Sequence, residues 1–221
     1  WVHVNLIGNT FRKTESDFGY ALEIGSASTG NITSNVFHGF NTWALSDKSN
    51  SAAIYIENSF TTGLGPLTKT VAVEQNEIYN CQYGLYIGNS FAGYTGNVDL
   101  VANVIGNSIH NNATTGSETS GGFVIVDEGA SAGSSVTVNM SGNQFVNNDD
   151  YGGLIYTNGN GAITVSMTDN FFVGNIKGLS VKDYGAPSTS AYSLTIYHNI
   201  FQNNLNAEDD AAGGYWDDGV S

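Results

Sequence analysis

Short runs in which apolar and polar residues alternate recur along the whole chain, and one recurring set of them leads into an asparagine. The recurring first half is an alternating run, then Asn-x-aromatic or Asn-x-Ile. It reads Leu6-Ile7-Gly8-Asn9-Thr10-Phe11, then Ile32-Thr33-Ser34-Asn35-Val36-Phe37, with a shortened copy at Ile56-Glu57-Asn58-Ser59-Phe60. Further copies start at Val73 (anchor Asn76), Leu100 (Asn103), Met140 (Asn143), Met167 (Asn170) and Ile196 (Asn199). Eight anchors result, spaced 26, 23, 18, 27, 40, 27 and 29 residues apart. A glycine-led second half follows most of them: Gly19 to Ile24, Gly84 to Ile87, Gly122 to Ile125, Gly153 to Tyr156 and Gly178 to Val181, with Trp43-Ala44-Leu45 a weaker version.

Both halves have period 2, the mark of a strand with one buried face. No stretch of 11 or more residues carries a helical period. A repeat of about 27 residues built from two or three short strands predicts a solenoid in which each repeat is one coil and neighbouring coils pair strand on strand. The expected fold class is therefore all-β: a right-handed parallel β-helix of about eight coils with an asparagine ladder. It is read as a single domain, residues 1–221, that could be an excerpt of a longer chain. The asparagines are expected to sit in stacked turns. There Asn tolerates the left-handed conformation, and its amide donates to one neighbour and accepts from the other. The aromatic or Ile two residues later should return to the core. A second partial column is expected four residues past the anchors, at Asn80, Asn107, Asn147 and Asn203, with Asn175 one place later.

Composition narrows the function. Six Lys and Arg stand against 20 Asp and Glu, a formal charge of −14. That argues against nucleic acid as a partner, and against polyanionic glycans unless a cation bridges the charges. Cys81 is the one cysteine, so no intrachain disulfide forms. It reads as a small half-buried turn residue. No run of 18 apolar residues occurs, so membrane insertion is not expected. The few lysines and the Ser, Thr and Asn content suit an extracellular or cell-surface protein, or a periplasmic one.

The segments Asn143-Gln144-Phe145-Val146-Asn147-Asn148, followed by Tyr151-Gly152-Gly153-Leu154, and Asn199-Ile200-Phe201-Gln202-Asn203-Asn204 resemble right-handed β-helix repeats of the pectate-lyase-like superfamily. They are most similar to the carbohydrate-binding and sugar-hydrolysis repeats also found in NosD-type proteins. The resemblance covers nearly all the chain and implies architecture more than activity, since this fold hosts lyases, hydrolases, adhesins and inert spacers. The polygalacturonate lyases of that superfamily use calcium and a basic catalytic residue. Here Arg12 is the one arginine, and a basic uronate cleft is hard to assemble. The amphipathic helix that commonly caps such a fold has no counterpart. Trp1 to Leu6 already reads as a strand, so the first coil is expected to offer an edge for self-association or a neighbouring domain. Gly213-Gly214-Tyr215-Trp216 could fold over the last coil as a plug.

Inward and outward assignment gives two outer stripes. One reads Asn5, Thr33, Ala72, Asn139, Ser166 and Thr195, short and polar. The other reads Glu23, Tyr86, Val124, Ile155 and Ser180, apolar at its middle: a sugar-stacking surface, or satellite core covered by loops. Tyr86, with Phe91, Tyr94, Glu118 and Tyr184 in the flanking loops, are the candidate ligand-binding residues. Just past the second strand a column reads Asp47, Asn89, Asp127, Asn158, Asp183. Asp127 and Asp183, two coils apart, are the candidate catalytic pair, with roughly the ~6.5 to 9.5 Å separation of an inverting glycosidase within side-chain reach. Glu128 would tune one partner by like-charge repulsion. Asp149, Asp150, Asp209 and Asp210 are the candidate oxygen ligands for a Ca2+ ion. The four histidines are far apart in sequence and support no metal triad.

Two functions are carried forward. One is a β-helix module that binds, and in an enzymatic version cleaves, a neutral or amino-sugar polysaccharide. The other is a non-catalytic structural or adhesive surface module, stacking end to end.

Overall fold

The protein is described here by a computed structural model covering residues 2–13, 19–25, 28–41, 51–57, 67–89, 98–114, 119–127, 135–157, 162–183, 191–205 and 215–216. Every complete coil has two strands of five to eight residues flanking one of three. They are β1 (His3–Ile7), β2 (Thr10–Arg12) and β3 (Tyr20–Ile24); β4 (Thr29–Thr33), β5 (Val36–His38) and β6 (Ala52–Ile56); β7 (Leu67–Glu74), β8 (Glu77–Tyr79) and β9 (Tyr83–Asn89). Then follow β10 (Val98–Ile105), β11 (Ser108–His110) and β12 (Gly121–Asp127); β13 (Ser135–Ser141), β14 (Gln144–Val146) and β15 (Tyr151–Thr157); β16 (Ala162–Thr168), β17 (Phe171–Val173) and β18 (Lys177–Asp183). The seventh coil supplies β19 (Ala191–Tyr197) and β20 (Ile200–Gln202), and β21 (Tyr215–Trp216) closes the list.

Taking every third strand gives three seven-stranded sheets, which make a right-handed parallel β-helix. All pairings are parallel except the last, where β21 lies antiparallel on β18, with Trp216 opposite Leu179 and Tyr215 opposite Ser180. The expected plug is thus a two-residue strand on the edge of the third sheet. No helix among the described residues is long and apolar enough to cross a membrane.

The asparagine ladder is present with seven rungs, not eight. Asn9, Asn35, Asn76, Asn107, Asn143, Asn170 and Asn199 follow one another. In each rung from Asn9 to Asn170, the backbone N–H and side-chain Nδ2 both donate to Oδ1 of the next. From Asn35 to Asn199, Nδ2 also donates to a first-sheet carbonyl one coil back, as Asn107 does to Val73 at 2.8 Å. Two anchors need correction. Asn58 lies outside the described residues, and the run before it, Ala52–Ile56, belongs to the third sheet between β3 and β9. Asn103 faces outward on the first sheet opposite Asn139. Asn107 takes its place, so Ile109 enters the core and Ile105 stays exposed.

The left-handed turn residue is not the anchor. It is the residue before it: Gly8, Ser34, Gln75, Gly106, Gly142, Asp169 and His198 all have positive φ. A second left-handed position falls four residues after the anchor, at Asn80, Asn111, Asn147 and Asn203. The second ladder stands one residue further on, through Asn112, Asn148, Asn175 and Asn204. Inside, Phe11, Phe37, Ile78, Ile109, Phe145, Phe172 and Phe201 form one column along the second sheet, with stacked rings 4.7 to 4.9 Å apart where phenylalanines adjoin.

Glycines permit the tight corner that opens the third sheet. A Cβ on Gly122 would lie 2.4 Å from the Gly152 carbonyl oxygen, and one on Gly152 2.5 Å from that of Gly178. Gly152, not Gly153, therefore belongs with Gly84 and Gly122. Gly153 faces the core, where the Phe123 ring fills the space its side chain would need.

Candidate functional site

Four places gather side chains with chemistry. The first is the outer face of the third sheet. Its central column reads Glu23, Tyr55, Tyr86, Val124, Leu154 and Ser180. Leu154 replaces the expected Ile155, which is in the core, because the tandem glycines had set the sequence alignment one residue off. Tyr86 is only 5% exposed; its ring meets those of Tyr55 and Tyr83 edge-on, and its hydroxyl lies 3.2 Å from that of Tyr156. Tyr83 contacts the Thr119 hydroxyl at 2.5 Å. The stripe is a second, smaller core of tyrosines and aliphatics rather than an open stacking platform. Lys177 and Lys182 converge on the Tyr151 ring, at 4.9 and 5.8 Å from its centroid.

The second place is the end of that sheet. Register puts Asn89, Asp127, Thr157 and Asp183 in one column. Thr157 stands where Asn158 was expected, by the same one-residue offset, and its hydroxyl donates to the Asp127 carbonyl at 2.9 Å. Asp127 and Asp183 are two coils apart, about 10 Å along the axis at the usual strand spacing. Asp127 is 1% exposed and continues the core-facing alternation of Phe123 and Ile125. Glu128, Glu118, Phe91, Tyr94, Tyr184, Asp209 and Asp210, together with Asp47 and Trp43-Ala44-Leu45, lie outside the described residues. Of the candidate calcium ligands, Asp150 accepts through Oδ2 from the Ser120 N–H at 2.8 Å, pinning the turn into β12. Asp149 ties the same turn by its backbone N–H to the Asn112 carbonyl. No group of three or more His, Cys, Asp and Glu is gathered into a cation shell among the described residues.

The third place is Lys69, which the sequence pattern did not single out. It sits on the core-facing side of β7 and is fully buried. Its ammonium donates to the Ile24 carbonyl at 2.5 Å and the Glu57 carbonyl at 2.6 Å, tying the ends of the first two coils to the third. Desolvation lowers its pKa to about 8, against the pull of the nearby Glu57 and Glu23 carboxylates.

The fourth place is the outer face of the second sheet, where successive coils put Arg12, His38, Tyr79 and His110 in one column. The His38 and Tyr79 rings stack at 5.1 Å and 1°, and those of Tyr79 and His110 at 5.4 Å and 10°. The Asn111 amide contacts His110 Nδ1 at 2.9 Å, and Glu77 Oε1 lies 3.5 Å from Nε2, an arrangement that favours the Nε2–H tautomer. Tyr79 is sandwiched between the two imidazoles, and the outer column carries a guanidinium, two imidazoles and a phenol. The signal for it was in the sequence, since His38 and His110 each stand three residues after a rung. Placing the fourth rung at Asn103 hid the match.

No family model, no curated protein and no solved structure matches this chain.

Proposed function

We propose that this β-helix is an extracellular, carbohydrate-binding module that holds a largely neutral polysaccharide along the solenoid axis, across the outer face of the second sheet. The observation that carries this reading is the column Arg12–His38–Tyr79–His110: four consecutive coils, each offering one polar edge at a strand's width from the next. A linear polymer that advances by a comparable length per sugar can repeat its hydroxyl contacts from coil to coil. The formal charge of −14 disfavours a polyanion at long range. The resemblance to carbohydrate-binding and sugar-hydrolysis repeats supports the same ligand class. A glycan array probed with the intact chain tests the reading, followed by titration of any hit against Tyr79→Ala and His110→Ala. At least tenfold weaker binding in both variants is expected. Unchanged affinity removes this face, and an array without hits leaves the structural or adhesive module as the function.

A second reading, cleavage of a polymer held at the end of the third sheet instead of along the second, is favoured by the shared register of Asp127 and Asp183, with Glu128 following Asp127. In it the two carboxyls serve as general acid and general base. Product analysis with an array hit, using the wild type and Asp127→Asn, decides it: cleavage abolished in the variant supports the pair, and no product from the wild type ends it.

A further inference from the structure

The first two rungs of the ring column differ from the rest. Arg12 and His38 are direct register partners on β2 and β5, and the other outward residues of those strands are Thr10 and Val36. The one carboxylate on the outer face of the next strand, Glu77, is turned to His110, three coils beyond Arg12. Among the described residues Arg12 makes no ion pair, and it is exposed. Among the described residues this is a cationic spot, on a chain whose formal charge is −14. It is also rigid. Lys13 donates its N–H to the His38 carbonyl, and Gly39, at φ +90°, lies so close that a Cβ there would sit 2.5 Å from the Lys13 carbonyl oxygen. The two strands that carry Arg12 and His38 are therefore locked together directly behind the side chains.

We infer that Arg12 and His38 form an anion subsite that takes a single sulfate or phosphate ester borne on the polysaccharide. A guanidinium offers a planar fork to two oxygens of a tetrahedral anion. The imidazole one rung along offers an N–H to a third. A carboxylate has two oxygens and would leave one of these donors unused. The ester enters as a sparse substituent on a neutral backbone, because a densely charged polymer meets the repulsion of the whole chain. Tyr79 and His110 then contact the sugars that follow along the axis. The inference rests on the second-sheet reading for its polymer, and on the Arg12–His38 geometry alone for its anion.

The test separates the two. Methyl sulfate, methyl phosphate and acetate are titrated into the intact chain while the His38 ring signals are followed by NMR. Cellohexaose and its mono-sulfated and mono-phosphorylated forms are titrated in parallel. Both methyl esters should shift the His38 signals with at least fivefold higher affinity than acetate, and Arg12→Gln should abolish the response while Lys177→Gln leaves it intact. An esterified hexaose should bind at least tenfold more tightly than its parent, with the advantage lost in Arg12→Gln; the better of the two esters identifies the source. No shift with either methyl ester, or an equal response to acetate, overturns the subsite even if cellohexaose binds. A response to the esters with no binding of any hexaose keeps the subsite and overturns the polysaccharide reading on this face.

Discussion

The backbone N–H of Asn76 and its side-chain amide both donate to the same oxygen, Oδ1 of Asn107, each at 2.9 Å. Asn107 repeats the arrangement on Asn143 and sends its own amide back to the Val73 carbonyl. Each buried rung therefore satisfies two backbone groups of the coil before it, an N–H and a carbonyl. Asn107→Ala removes the acceptor for two buried donors and leaves the Val73 carbonyl without its amide. A loss of about 3 kcal/mol or more is expected, from unsatisfied groups at roughly 1–3 kcal/mol each. Asn9, at the exposed end, accepts from no earlier rung among the described residues, and Asn9→Ala should cost about 1 kcal/mol. Urea midpoints of the two variants check the difference; equal losses would mean that the ladder does not act through burial.

Gly153 gives a sharper test of the core. Phe123 ring atoms stand 2.1 to 2.8 Å from where its Cβ would be. Gly153→Ala should destabilise by about 1–3 kcal/mol through overpacking. Phe123→Leu alone should also destabilise. The double variant should lose less than the two single losses added together, because the smaller side chain vacates the contested space. Strict additivity would show that the ring is not the obstacle.

Lys69 sets an unusual pH dependence. Its pKa falls from 10.5 in the unfolded chain to about 8 in the fold. Between these values the unfolded chain keeps a proton that the folded chain has released. Stability from this group therefore rises as pH climbs from 8 to 10.5, is fully present above that window, and is lost as pH falls back through 8. The gain is at most about 3–4 kcal/mol, from roughly 1.4 kcal/mol per pKa unit. Tyrosines titrate in the same range, so the quantity to measure is the difference between wild type and Lys69→Met in unfolding free energy, followed from pH 7.5 to 11. A flat difference would place the ammonium in water.

Cys81 lies wholly in the core, its thiol turned to the Tyr79 carbonyl at 3.3 Å. Burial pushes its pKa up to about 12. Iodoacetamide at pH 8 should leave the native chain unlabelled over hours and label it rapidly in denaturant. Rapid native labelling would contradict the burial.

Sequence periodicity was enough to read the coil, the parallel pairing, the amide stack and the inward Phe column, because each follows from period 2 and a repeated Asn-x-Phe. Three places resisted it. Asn103 and Asn107 both follow alternating runs, and only the preceding Gly106, free to take positive φ, marks the true rung. Gly152 and Gly153 offer two registers, and the choice depends on Phe123 from another coil. Ala52–Ile56 reads as a first-sheet run, but by register it belongs to the third sheet. Those offsets carried into the site. Asp127 and Asp183 kept their common column, whereas the stack through His38, Tyr79 and His110 became visible only once the rungs were right. Lys69 was illegible, since nothing local tells a core-facing lysine from a solvated one in a strand edged by Thr68 and Thr70.

Consecutive rungs of the main ladder are separated by 26, 41, 31, 36, 27 and 29 residues, yet their hydrogen bonds stay within 2.8 to 3.2 Å. The scaffold thus tolerates extra sequence without passing the disturbance to its neighbours, provided the addition falls at a corner away from the amide turns. Such a molecule can gain or exchange peripheral segments piecemeal, as a shelf accepts new contents while its uprights stay fixed.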